Sequence, residues 1–372
     1  VHSLSLTVGL VLHLGDAGGA VVHVSPYAPE LRFSGRVDRK DRHGPRLAWS
    51  GTRFEVRFTG DSVQVRLRDL PKIPDLRGRI WPNRFQVKLD DQPPQQVFVK
   101  EGSDVLFQQS GLPKGPHRLE VYKQTEAMVG EAQLLGIDLA PGAQVLPPEP
   151  MPSRRIELFG DSITAGYGNE GQDSSCHFSP ETENHDLSYG ELTAHALGAE
   201  AVTIAWSGRG VVRNVEAPKD APVLPLMFDR TLPARGGSRW DFASWTPDAV
   251  VVNLGANDFA SGDPGRERFE KAYEAFLVRL RARYPNAFLV VALGPTLSDS
   301  WPAGVQARAK ARSYLNAVVL RRQTAGDSRT SFLEFAPQDP ANGYGCDYHP
   351  NLVTHRAMAE LLTARLRSLL GW

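Results

Sequence analysis

Between Val21 and Ala143, apolar residues recur at every second position in short runs. Arg53-Phe54-Glu55-Val56-Arg57-Phe58, Ser62-Val63-Gln64-Val65-Arg66-Leu67 and Arg84-Phe85-Gln86-Val87-Lys88-Leu89 all alternate, and Gly60-Asp61 and Asp90-Asp91-Gln92-Pro93 punctuate them. Gln96 to Val99 and His117 to Tyr122 continue the pattern. Successive side chains of a strand point to opposite faces, so such runs bury one face and wet the other. Many of them separated by turn residues predict an antiparallel, jelly-roll-like sandwich, placed at 22–146. Pro147-Pro148-Glu149-Pro150-Met151-Pro152 then stops regular structure and reads as a stiff linker, 147–152.

From residue 153 to 372 the period changes. Ile156 to Phe159, Ala201 to Trp206, Ala249 to Leu254 and Phe288 to Leu293 are short apolar stretches of the kind that forms buried parallel strands. Tyr189 to Leu197, Phe269 to Arg283 and Thr354 to Leu370 carry helical spacing. Strands alternating with helices predict a doubly wound α/β domain, a parallel sheet in the middle of three layers. A length of 372 residues accommodates both domains.

The chemistry sits where the apolar stretches end. Gly160-Asp161-Ser162-Ile163-Thr164 places a serine hydroxyl at a sharp turn after a strand, ahead of a helix whose first N–H groups are unpaired. Ser207-Gly208-Arg209-Gly210 and Gly255-Ala256-Asn257-Asp258 follow two further strands, and Asp347-Tyr348-His349-Pro350 precedes the last helix. A serine at its free pKa is a poor nucleophile and needs a base, for which His349 is the suitable side-chain type. An oxyanion needs donors aimed at one point, and the N–H groups of Ser162 and Gly208 and the amide of Asn257 are candidates for that role; taken singly, Gly208 also reads as a turn residue, Asn257 as an N-cap and His349 as a loop residue. In open α/β sheets, ligands bind beyond the carboxyl ends of the strands, where all four blocks fall.

Serine, glycine, asparagine and histidine in this order resemble the SGNH (GDSL-type) hydrolase family over about residues 153 to 372. The resemblance implies a catalytic Ser162, oxyanion donors at Gly208 and Asn257, His349 as the base, and no cofactor or metal. The commonest form of the family has an aspartate three residues before the histidine, where this chain has Cys346. Asp347, two residues before, reaches the same face in an extended segment and is a candidate to orient His349. The alternative is a main-chain carbonyl in that role, leaving a dyad. Asp161 and Asp258 suit local turn and cap bonds better. With a sandwich ahead of the SGNH domain, and with Ser34-Gly35-Arg36, Trp49-Ser50-Gly51-Thr52 and Cys346-Asp347-Tyr348-His349-Pro350, the chain is similar to carbohydrate esterase family 2. That resemblance implies removal of O-acetyl groups from plant polysaccharides such as xylan or mannan.

Seven tryptophans are present. Trp301, in a polar loop after the Gly294-Pro295-Thr296 strand end, and Tyr167 are candidate substrate-binding residues, since an aromatic face stacks on a sugar ring. Tyr348 is a further candidate at the mouth, and Trp206 suits core packing. A lipase or general short-chain esterase uses the same machinery, and a carbohydrate-binding protein with little catalysis is a third reading. Cys176 and Cys346, the two cysteines, fall in loops expected to converge at the sheet edge, either as a disulfide or as two free thiols.

Basic and acidic side chains balance at 42 each, which gives no positive field for nucleic acid. No Cys-x-x-Cys, His-Glu-x-x-His or phosphate-loop pattern occurs. Leu4 to Leu14 is largely apolar and Ala17-Gly18-Gly19-Ala20 is small, so residues 1–21 read as a leader and the protein as secreted or periplasmic, with no membrane span in its mature form. No lysine or arginine precedes that run.

Overall fold

A computed structural model describes residues 19–372 except 73 and 75–77; most of the candidate leader lies outside them. Strands from Val22–Val24 to Val145–Leu146 form two six-stranded sheets, antiparallel throughout. In Arg53–Thr59, Phe54, Val56 and Phe58 point inward, and in Ser62–Asp69, Val63, Val65 and Leu67 do. These faces share one core with Phe85, Val87, Leu119, Val121 and Ile137. Fully burying each such side chain contributes about 1.5–3 kcal/mol.

The second half of the chain forms a five-stranded parallel sheet ordered Ala199–Ala205, Arg154–Gly160, Ala249–Asn253, Phe288–Leu293, Thr330–Glu334. Alternate residues serve opposite faces. Ile156, Leu158, Val251 and Val290 pack under helices Tyr189–Leu197 and Leu352–Leu370. Phe159, Val252, Leu289 and Val291 pack under Arg266–Arg283 and Ala307–Thr324. Both faces are covered, as the unbroken apolar runs require. The strand order reverses beside Arg154–Gly160, and a crevice at such a switch point is where this architecture binds ligands. Among the described residues, no helix is long and apolar enough to cross a membrane.

The two halves meet through buried polar contacts rather than only through the proline-rich segment. Arg36, wholly buried, places Nη2 2.8 Å from Glu157 Oε1 on the first parallel strand and donates to the carbonyls of Phe228 and Arg230. Ser34 Oγ donates to Glu200, and Trp49 packs into the core of the α/β half, its Nε1 donating to the Arg230 carbonyl at 3.3 Å. The Ser34-Gly35-Arg36 and Trp49 motifs therefore build the seam. Burial raises the Glu157 carboxyl, and the Arg36 guanidinium draws it back. A buried pair that loses one partner leaves an uncompensated charge. Arg36→Met is expected to cost about 3–5 kcal/mol in urea unfolding, and adding Glu157→Leu to recover most of it; an unchanged midpoint for Arg36→Met refutes the pairing.

Candidate active site

The strand Arg154–Gly160 ends one residue before a single helical turn, Ser162–Ala165. Asp161 caps it, its Oδ1 accepting from the Ile163 N–H at 3.1 Å, and left-handed Gly166 ends it. So short a turn has little macrodipole, and anion stabilisation rests on individual N–H groups instead. Ser162 Oγ lies 2.8 Å from His349 Nε2. The imidazole is placed by the helix that follows it. Asn351 Oδ1 accepts from the N–H groups of Val353 and Thr354, fixing the start of Leu352–Leu370 two residues beyond Pro350.

His349 Nδ1 is 3.1 Å from the carbonyl of Cys346. The expected Asp347 contact is not formed. Asp347 and Tyr348 adopt left-handed backbone, φ 51° and 62°, so the segment is a tight turn and the same-face rule for extended chain does not apply. The Asp347 carboxylate instead accepts from the Tyr167 hydroxyl at 2.7 Å and sits 2.7 Å from His177 Nδ1. Burial opposes it, yet these bonds hold Asp347 below its ordinary pKa, so it stays charged near His349. Left-handed pairs of non-glycine residues are costly and concentrate at functional turns.

The histidine and serine loops are welded together. Cys176 and Cys346 are disulfide-bonded, with Cα atoms 4.6 Å apart across 170 residues of chain. The Cys346 N–H donates to the Gly168 carbonyl at 3.0 Å, and the Asp347 N–H to the Cys176 carbonyl at 2.9 Å. Gly168, φ 58°, lies where a Cβ would come within 2.6 Å of Cys346 Cβ, so only glycine permits this approach.

Gly208, also left-handed at φ 76°, accepts at its carbonyl from the Val215 N–H, while its own N–H has no acceptor among the described residues. Asn257 ties the blocks together: Nδ2 donates to Asp161 Oδ2 at 3.2 Å and to the Arg209 carbonyl at 3.0 Å. Both amide protons are thus engaged. Asp258 does more than cap its own turn, because its carboxylate accepts from the N–H groups of Val211, Val212 and Arg213 and holds the loop after Gly208. Burial pushes Asp161 up to about 7 and Asp258 up to about 6.

Tyr167 stacks on His349 with ring centres 4.2 Å apart, so it supports the imidazole, and its hydroxyl is spent on Asp347. The aromatic contacts continue through Phe178, tilted against Tyr167 at 5.0 Å, to Trp81 of the sandwich, edge-on at 6.0 Å, a connection with no signal in local spacing. Trp301 is 71% exposed, and none of its bonds or ring contacts joins it to the Ser162–His349 pair. Tyr348 is 66% exposed beside the base. Trp206 is half-buried under the Arg209 guanidinium. Elsewhere on the seam Asp186, Glu191 and His195 cluster, with Arg53 3.5 Å from Glu191 balancing its charge.

Residues 33–149 match the carbohydrate esterase 2 N-terminal model, and residues 158–357 match the GDSL-like lipase/acylhydrolase family. A solved family two carbohydrate esterase from Clostridium thermocellum, in complex with cellohexaose, superposes with a TM-score of 0.81 at 37% identity, covering 92% of this chain and 99% of that one. The chain belongs to carbohydrate esterase family 2. A family two structure from Cellvibrio japonicus superposes with a TM-score of 0.83 at 25% identity, covering 95% of this chain and 99% of that one. The cellulase/esterase CelE of Acetivibrio thermocellus is 39% identical over 347 residues, 92% of this chain but 40% of that protein's length.

Two outcomes are expected of the family 2 site as built here. Because Asp347 does not touch Nδ1, Asp347→Asn is expected to lower kcat/KM less than about tenfold, against the roughly 10⁴-fold loss in kcat when a triad aspartate is amidated; a loss near 10⁴ in steady-state assays refutes the carbonyl-oriented dyad. Burial lowers the His349 pKa from its ordinary 6.5. The base works only when neutral, so its activity is full above the lowered pKa and lost below it. The acid limb of kcat/KM is therefore expected below pH 6.5, and a midpoint at 7 or above contradicts it.

Proposed function

We propose that the protein is an exported serine esterase that removes O-acetyl groups from polysaccharides of the xylan or mannan class. The observation that carries this is the 2.8 Å contact between Ser162 Oγ and His349 Nε2, with Nδ1 held by a carbonyl and a Gly208 N–H beyond the neighbouring strand that has no acceptor among the described residues. His349 Nε2 takes the Ser162 proton as Oγ bonds to the acetyl carbon. The imidazolium that forms keeps its Nδ1–H on the Cys346 carbonyl, with charged Asp347 nearby. The N–H groups of Ser162 and Gly208 receive the oxyanion. Asn257 joins them by exchanging its longer bond, to Asp161, for the new negative charge. Collapse breaks the bond to the sugar oxygen, which takes the proton from His349. Water then attacks the acetyl-enzyme with His349 again as base, releasing acetate and restoring Ser162.

Membership of carbohydrate esterase family 2 supports the substrate class. The cellohexaose held by the Clostridium thermocellum relative supports a carbohydrate ligand, and the name of a 26% identical Cellvibrio japonicus relative, acetylxylan esterase / glucomannan deacetylase, supports the xylan or mannan class. Exposed Tyr348 beside the base, and Trp301 on its loop, are proposed to offer faces to sugar rings, with Tyr167 backing the imidazole. The disulfide fits an oxidising compartment and thereby export.

Acetate release from acetylated xylan and glucomannan, with acetyl and octanoyl esters in parallel, tests the reading. Acetyl esters are expected to react at least about tenfold faster than octanoyl ones, and Ser162→Ala to abolish turnover while staying folded. Equal rates on both chain lengths favour a lipase, and a folded wild-type protein that binds polysaccharide without releasing acetate favours a binding role.

A further inference from the structure

The loop bearing Gly208 is held at its far end by Asp258, from its own domain, and at its near end by the other domain. Glu126 follows the sandwich strand Pro116–Lys123 and is wholly buried. One carboxylate oxygen, Oε2, accepts the Ser207 N–H at 2.7 Å, and the other, Oε1, accepts the Ser207 hydroxyl. Glu126 is itself anchored. Its N–H donates to Glu183 Oε2 at 2.9 Å, and Lys123 Nζ donates to the carbonyls of Thr125 at 2.6 Å and Glu126 at 3.1 Å.

Two bonds to one residue fix both its backbone and its side-chain rotation. The next peptide plane carries the Gly208 N–H, so the orientation of Ser207 sets where that N–H points. The Gly208 carbonyl accepts from the Val215 N–H at 2.8 Å, which restrains the far side of the same residue, and a Cβ there would come within 2.3 Å of the Val215 carbonyl oxygen, so only glycine fits. One residue further on, Arg209 Nε and Nη1 are buried with no acceptor among the described residues, and the Glu126 carboxylate lies close enough to act on that guanidinium.

We propose that Glu126 is a positioning residue for the oxyanion donor Gly208, so that the sandwich domain completes the esterase site. This rests on the esterase reading above. A carboxylate suits the task because it offers two acceptors to two donors on Ser207, where a glutamine offers one acceptor and an N–H₂ that faces a donor.

Glu126→Gln, Ser207→Ala and the double variant are made in the full chain and assayed with p-nitrophenyl acetate, with a small boronic acid as tetrahedral mimic and a thermal melt for each. Removing an oxyanion donor outright costs about 10²–10³ in kcat. Glu126→Gln is expected to lower kcat by about 10–10²-fold with KM within about threefold, and to weaken the boronic acid in the same proportion, well below its melting temperature. Ser207→Ala, which loses only the hydroxyl bond, is expected to lose about 3–10-fold, and the double variant no more than Glu126→Gln alone. A folded Glu126→Gln with kcat within twofold of wild type overturns the proposal, as does a loss confined to KM or to temperatures near melting. If Glu126→Gln does not fold, an unchanged kcat in Ser207→Ala overturns it. A wild-type protein with no ester hydrolysis, or with turnover that survives Ser162→Ala, defeats the esterase reading instead and is established before the Glu126 variants are compared.

Discussion

The bond between His349 Nδ1 and the Cys346 carbonyl is the constraint around which the rest of the site is arranged. An imidazole held only at Nε2 is free to rotate about its side-chain bonds, and a base that rotates spends little time on the serine. A carbonyl accepts from Nδ1–H and so selects the tautomer whose Nε2 faces Ser162. Unlike a carboxylate it carries no full charge, so it stabilises the imidazolium less. The charged Asp347 nearby, held in place by Tyr167 and His177, supplies part of that difference without touching the ring.

A carbonyl is only as well placed as its backbone. That explains the density of restraint on Cys346: the disulfide to Cys176, the bond from its N–H to Gly168, the close approach permitted by glycine, and the capped helix that begins just after His349. The left-handed conformations of Asp347 and Tyr348 are the steric cost of turning the chain so that this carbonyl points back at the ring. The same turn leaves Tyr348 facing solvent beside the base.

The seam between the halves has the character of an interior, not of a docking surface. Arg36, Trp49, Lys123 and Glu126 are almost wholly buried, and the first and last of them pair with groups on or beside the parallel sheet. Buried charges are tolerated only when paired and hydrogen-bonded, so the relative position of the halves is specified closely. A serine–histidine site at the switch point of the sheet therefore has part of its frame in the sandwich. Trp81, reaching the imidazole through Phe178 and Tyr167, is a second such link.

Period-two alternation and unbroken apolar runs determined the two architectures, because burial on one face or on two leaves a direct imprint on composition along a strand. The four blocks that carry Ser162, Gly208, Asn257 and His349 were legible for a related reason: each is a strand end or helix start, where a few consecutive residues must meet strict backbone demands. Both cysteines were placed at one sheet edge from the sequence, but only the fold decided between a disulfide and two free thiols. The role of Asp347 was not legible, because it depends on two left-handed residues whose conformation is set by packing against Gly168 and Cys176, 170 or more positions away. Tyr167 read as a sugar-binding face, and only the fold put the imidazole against it. Arg36 and Glu126 look in sequence like ordinary charges of a sandwich, since nothing local distinguishes a solvated carboxylate from a buried one. Local spacing determined which groups this chain carries to the sheet edge; the long-range packing of two domains decided which of them touch, because a hydrogen bond depends on distances that no short stretch of chain specifies.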